Sequence, residues 1–249
     1  MIYLPMYKVV NFTIKTTLFF FVLLHLLLYV AYRYQLKDID LSVYKAEKKA
    51  YKSDYYTILW MSSVTQSSSD KYRFNDMKMQ AIYPIHVVRY FFMKHNASRP
   101  SHQISYWLVS SLSKLRHQHV KKYAIQIWLS HHLSFEEVAT LYFANSYYGH
   151  DFFGLEEASK GYFNKNPNEL NIYEIIMLVT LTTAPSSLDP KRHPKNLLVK
   201  MNSLITKLKR NFPLYYEGLT YLKKIDYKNS QLKLEKSYKL PKSGTLSQY

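Results

Sequence analysis

From Val9 to Tyr32 the chain has no polar face. The run VVNFTIKTTLFFFVLLHLLLYVAY supplies 24 residues with one certain charge, Lys15. About 20 apolar residues suffice for a helix to cross a bilayer, and a helix apolar all round is enclosed by lipid or by a large core. A transmembrane anchor is therefore predicted at 9–32, behind a short segment 1–8. Lys15 can snorkel to one interface, and Tyr29, Tyr32 and Tyr34 suit headgroup level at the other. His25 reads as a neutral passenger. A cleaved signal peptide is the rival reading, but no small-x-small cleavage site follows the run. Charge leaves the orientation open, because Lys8 and Lys15 flank one end while Arg33 and Lys37 flank the other.

Beyond the anchor the pattern changes to helical periodicity. Residues 33–58 read as a polar juxtamembrane connector and Ser62–Asp76 as a loop. Met79–His95 suits a helix with Pro84 at its start or at a kink, and Asn96–His102 is a break. Apolar positions at three- and four-residue spacing predict helices over Ile104–Leu115 and Val120–His132. Ser134 with Glu137 forms a capping-box pattern, opening a helix expected to end at Gly149. A short helix is expected over Gly154–Phe163, another with Glu174 in its first turn and a stop before Pro185, and a basic amphipathic one over Leu197–Lys209. No strand series is visible. The expectation is a mainly α domain at 59–225, followed by a basic tail, 226–249, read as disordered.

Composition narrows the partners. Lys and Arg outnumber Asp and Glu by 34 to 17, for a formal charge of +17, which favours anionic surfaces and ligands. No nucleic-acid motif accompanies the charge, and with an anchor present the expected partner is a membrane, not nucleic acid. Cysteine is absent, so disulfide and thiol chemistry are excluded. Seven of the ten histidines fall between His86 and His132. The helical pair His117-x-His119 points its rings about 200° apart, which serves a single metal poorly, and no zinc signature is present. Three of the five glycines, Gly149, Gly154 and Gly161, crowd into one aromatic stretch, ANSYYGHDFFGLEEASKGYF. Such placement implies positive φ or a close backbone approach.

That stretch, extended over Leu133–Pro194, resembles the second half of family 51 peptidoglycan glycosyltransferases. The family's runs E-x-Y-L-N, F-G-x-x-x-x-G, A-A-x-x-Y-F-x-K, L-T-x-x-E and A-P-x-x-x-x-P find counterparts here in order and without a gap. These are Tyr142, Gly149, Gly154, Ala158, Tyr162, Phe163, Lys165, Leu170, Glu174, Ala184, Pro185 and Pro190. The resemblance implies a lysozyme-like helical fold behind a membrane anchor, on the outer face of a bacterial cytoplasmic membrane. It also implies that Tyr142, Gly149 and Gly154 shape a groove for lipid II. A helix cap and a tight turn without a functional role suit the glycines equally.

The catalytic half departs from the family. Transfer needs a general base for the attacking sugar hydroxyl and cations for the leaving pyrophosphate. The family's E-D-x-x-F falls on Asp70–Phe74, with Asp70 at the base position and Lys71 at the second acid. Its G-G-S-T-I-T-Q-Q falls on Pro100–Trp107, where only Ile104 is unchanged and where His102 and Gln103 stand as substrate contacts. Its R-K-x-x-E falls on Gln118–Lys122, so that Lys122 takes the place of the second glutamate. No Asp or Glu occurs between Met77 and Phe135. Two functional expectations follow. One is a degenerate member that binds lipid II, glycan strands or other cell-wall proteins without efficient polymerisation. The other is a divergent active enzyme with Asp70 as base, Lys71, Arg73, Lys121 and Lys122 at the pyrophosphate, and Mg or Mn as the metal. No other cofactor is implied. An unrelated helical membrane protein is the remaining reading, and a solvated or ion-paired loop carboxylate is the plain alternative for Asp70.

Overall fold

The computed structural model describes residues 6–45, 51–63, 79–86, 88, 100–112, 115 and 117–211. Among them the architecture is helical, with a single isolated bridge, Tyr147 to Phe153, as its only β pairing. The helices are α1 (Met6–Leu36), α2 (Ser53–Ser63), α3 (Pro100–Leu112), α4 (His119–His132), α5 (Phe135–Asn145), α6 (Leu155–Phe163), α7 (Ile172–Leu181) and α8 (Pro194–Asn211). Two 3₁₀ turns, Leu41–Tyr44 and Pro167–Glu169, join them.

The anchor helix is longer than its apolar run. Within Val9–Leu36 an 18-residue stretch reaches a mean hydropathy of 2.0, and the helix meets the length and composition needed to cross a membrane. Phe12, Phe19, Phe20, Phe21, Leu26 and Leu27 all expose more than half their surface. The helix continues past Tyr32 because its last turn has protein to pack on. Leu36 is buried, Tyr32 is half-buried against the same core, and α1 packs on α4. The span and the domain are thus joined by a continuous helix.

Part of the expected polar connector at 33–58 is instead core. Tyr44, Tyr51, Tyr55 and Ile58 are buried, and α2 begins at Ser53 and packs against α3, α5, α7 and α8. Several of its hydroxyls find partners inside the domain. Tyr55 Oη donates to the Pro167 carbonyl at 2.8 Å, Tyr56 Oη lies 3.2 Å from Thr140 Oγ1, and Ser63 Oγ donates to the Trp60 carbonyl. The Trp60 ring meets Phe135 edge-on at 5.0 Å. A buried hydroxyl with a partner costs little, whereas an unpaired one is expensive. Composition therefore misled the reading of this segment.

Other boundaries moved for local reasons. Pro100 begins α3 inside the expected break, consistent with the preference for proline in a first turn. Ser134 caps α5 with the expected reciprocal bonds to Glu137, but α5 stops at Asn145, and Gly149 lies beyond it in a turn. The most apolar helix of the domain, α7, is buried from Ile175 to Leu181. It is capped by Asn171 and tied to the segment just after α6 by a 2.6 Å ion pair between Lys165 and Glu174. Most of the expected helix at 79–95, the loop at 64–76 and the tail at 226–249 lie outside the described residues. The Tyr55 hydroxyl pins α2 to the turn before α7, so Tyr55→Phe strands a buried carbonyl. Its expected cost is about 1–3 kcal/mol of unfolding free energy, read by chemical denaturation.

Candidate functional site

The glycine-aromatic stretch folds as a closed turn between α5 and α6. Tyr148 N–H donates to the Phe152 carbonyl at 3.0 Å, Phe152 N–H to the Gly149 carbonyl at 3.0 Å, and Gly154 N–H to the Ser146 carbonyl at 2.9 Å. Gly154 adopts φ +83°, and a Cβ there would stand 2.7 Å from the Ala144 carbonyl oxygen. Gly161 serves a different need. The Phe152 ring lies flat on it, and a Cβ would sit 2.1 Å from that ring. Gly149, at φ +89°, faces the Tyr162 hydroxyl, which donates to the Tyr148 carbonyl at 2.8 Å. Burial pushes the Tyr148 hydroxyl well above its ordinary range.

The turn carries strain, and it lies against the Asp189 carboxylate. His150 and Asp151 both have positive φ, 51° and 62°, a conformation that costs a side-chain-bearing residue on the order of 1 kcal/mol. His150 Nε2 lies 3.2 Å from Asp189 Oδ2. Asp189 Oδ1 also accepts the backbone N–H groups of Lys191 and Arg192, at 2.8 and 3.1 Å. Burial alone would raise the Asp189 carboxyl. The hydrogen bonds from Arg192, Lys191 and His150 outweigh it and hold the group below the ordinary carboxylate value.

The positions assigned to the reaction fall into three groups. Asp70, Lys71 and Arg73 lie outside the described residues. Lys122 and His102 both lie along the α3–α4 contact, Lys122 beside Ser110 and His102 beside Gln126. Lys122 is buried, with Nζ 3.4 Å from Ser110 Oγ and 5.8 Å from the centre of the Tyr106 ring. One turn on, Gln126 Nε2 donates to the His102 carbonyl at 2.9 Å and to Ser105 Oγ at 3.1 Å. Together they form a polar seam between two packed helices. Lys121 and Gln103 are half-buried on the neighbouring faces of the same helices.

Tyr142 belongs to a different neighbourhood, buried on α5 with its ring 6.0 Å from Trp107 of α3. Burial raises its hydroxyl, against hydrogen bonds with Thr182 and Ser146. Trp107 in turn lines a cleft between α3, α7, α8 and the end of α2. Gly149 and Gly154 do not line that cleft. Lys200 and Lys207, both on its wall, were read in the sequence only as part of a basic amphipathic face. The usable signal was their spacing of seven on one helix, which places them on one side.

The described residues do not fit a Mg or Mn ion at the expected position. A lysine occupies it, and no group of three His, Asp or Glu side chains converges among the described residues. Two of the histidines are engaged locally: His131 Nε2 lies 3.0 Å from the Ile82 carbonyl, while His132 stacks on Trp128 at 4.4 Å.

Residues 93–209 match the family described as Transglycosylase. Penicillin-binding protein 1C of Escherichia coli (strain K12) is 34% identical over 87 residues, 33% of this chain and 11% of that protein. Penicillin-binding protein 1F of Bacillus subtilis (strain 168) is 34% identical over 74 residues, 30% of this chain and 10% of that protein. Penicillin-binding protein 1A of Rickettsia conorii is 27% identical over 89 residues, 36% of this chain and 11% of that protein. The matched segment is thus about a tenth of each relative's length.

Two outcomes are expected from this geometry. Lys122→Met keeps the aliphatic stem in the seam and removes a charge held only by long contacts, so the unfolding free energy should change by less than about 1 kcal/mol. The Asp189 carboxyl is depressed in the folded state, so its contribution is present above the unfolded value of about 3.9 and is lost as pH falls through the lower folded value. Asp189→Ala should therefore lower the melting temperature at pH 7. The difference from wild type should shrink once pH drops below about 4, as followed by thermal scans across pH.

Proposed function

Since a transglycosylase domain like that of glycosyltransferase family 51 is present over residues 93–209, we propose that the protein binds a cell-wall ligand without polymerising it efficiently. It is a peptidoglycan glycosyltransferase-like protein with a candidate membrane anchor. Its ligand is lipid II or a glycan strand. The anchor is a single pass through the bacterial cytoplasmic membrane, with the domain on the periplasmic or outer face.

The observation that carries this reading is Lys122. At the position of the family's second glutamate stands a lysine turned into a helix–helix seam, away from solvent. No carboxylate occurs between Met77 and Phe135 to replace that glutamate. A base at Asp70 would act with a side chain one methylene shorter than glutamate, and a misplacement of about 1 Å can cost on the order of a hundredfold in rate. The neighbouring Lys71 and Arg73 favour the charged carboxylate and weaken it as a base.

The test is polymerisation of labelled lipid II by the detergent-purified full chain with Mg²⁺ or Mn²⁺. An active family member runs beside it, and lipid II retention is measured on the same protein. The expected result is retention without polymer. Polymer made by the wild type and lost in Asp70→Asn would establish the alternative, a divergent glycosyltransferase with Asp70 as its base. Neither polymer nor retention would remove the binding role.

A further inference from the structure

The helix α1 carries a second pattern inside its apolar run. Asn11, Lys15, Leu18, Val22, His25 and Tyr29 recur at alternating spacings of four and three. That is the spacing of a coiled-coil seam, and it gathers these side chains into one stripe. The threonines of the span lie on the other side of the helix and are satisfied within it. Thr13, Thr16 and Thr17 donate to the carbonyls of Val9, Phe12 and Thr13.

The stripe is where polar atoms are left over. His25 Nδ1 lies 2.8 Å from the Phe21 carbonyl. A carbonyl only accepts, so Nδ1 carries the proton and Nε2 of the neutral ring is an acceptor. Among the described residues neither His25 Nε2 nor Tyr29 Oη has a hydrogen-bond partner. With Lys15 at one interface, His25 stands about 15 Å into the hydrocarbon, at its middle. Water does not serve it there, and an unmet polar group in hydrocarbon is costly. Tyr29 lies one turn further along, but helical side chains lean toward the N-terminus, which brings its hydroxyl back toward the level of His25. The stripe is open, since Leu18, Val22 and Tyr29 each expose more than half their surface.

We propose that α1 is the interface of a homodimer, in which two parallel copies meet along Leu18, Val22 and His25 and each Tyr29 hydroxyl donates to His25 Nε2 of the other copy. In a parallel pair, a knob at the position of His25 enters a hole made by Val22, His25, Leu26 and Tyr29 of the second copy, so donor and acceptor adjoin. Two-fold symmetry makes the bond twice. Two neutral imidazoles that both offer Nε2 as acceptor do not bond to each other, so the tyrosine is what makes the stripe self-complementary. Paired membrane helices cross at an angle. Copies that meet at His25 therefore part toward Tyr32 and Leu36, where the same stripe is covered by its own domain. The proposal rests on α1 lying in a membrane and not on whether the domain binds or polymerises lipid II.

The test uses the full chain in phosphatidylcholine liposomes. Cysteine is absent from the chain, so single substitutions report on one position each. Leu18→Cys and Val22→Cys should form disulfide-linked dimers about fivefold or more faster than Phe20→Cys and Leu27→Cys, which lie on the opposite face. Energy transfer between copies labelled through one added C-terminal cysteine, followed as lipid is added, gives the dimer affinity. Tyr29→Phe and His25→Leu should each weaken the dimer about five- to tenfold, the scale of two interhelical hydrogen bonds. The double variant should lose no more than the weaker single one, and Tyr34→Phe, off the stripe, should change the affinity less than about twofold. Flotation in carbonate verifies insertion of each variant. A chain that inserts and stays monomeric overturns the dimer and leaves the anchor standing, whereas a chain that does not insert overturns both. Equal cross-linking at all four positions, or a dimer indifferent to Tyr29→Phe, also overturns the proposal.

Discussion

The fold depends on keeping α2 enclosed on nearly all sides. Seven of its eleven residues are buried, among them Tyr55, Thr57, Trp60 and Ser63, and a helix in that position must be surrounded. Helices α3, α5, α7 and α8 do the surrounding. Once α2 is central, the placement of the rest follows. Tyr55 ties it to the turn before α7, Tyr56 reaches α5, and Tyr44 meets Trp128 of α4 at 6.5 Å. The anchor then has to leave the domain along α4, where Leu36 and Tyr32 are covered. The angle at which the span leaves the domain is therefore set by core packing and not by a flexible linker.

Where side chains carry their own patterning, the sequence was readable. The capping box at Ser134, the apolar run of α7 and the long apolar N-terminal helix all rest on local chemistry, and all three helices are present. So does the glycine-aromatic turn, whose glycines are required by one backbone clash and one ring contact. The misreading of α2 has the opposite cause. Tyrosine, threonine and serine look solvated in a sequence, yet here each finds a backbone or hydroxyl partner inside the core. Burial of a satisfied polar group is a tertiary fact, and no window of residues shows it. The end of α5 was misjudged for a related reason. Gly149 has the conformation of a helix-terminating glycine, but it was placed four residues along, in a turn closed by its own hydrogen bonds.

At the α3–α4 seam the sequence names the residue and leaves its orientation open. Counting motifs put a lysine where the resemblance calls for glutamate, but sequence alone allowed that lysine to point at a pyrophosphate. The structure turns it inward, and Gln126 and Ser105 continue the same polar seam. A charged group buried between helices makes a weak claim to stabilise them, and it is equally poorly placed to meet a ligand. Lys122 thus sits in a contact between packed helices.

The cations that do face a concavity lie on α8. Its buried stripe, Leu197, Met201, Leu204 and Leu208, fixes the helix against α7 and α2. That fixed rotation leaves Lys200, Ser203 and Lys207 on the next face round, toward the cleft. The amphipathic pattern of α8 thus decides both which of its residues enter the core and which of its lysines line the cleft.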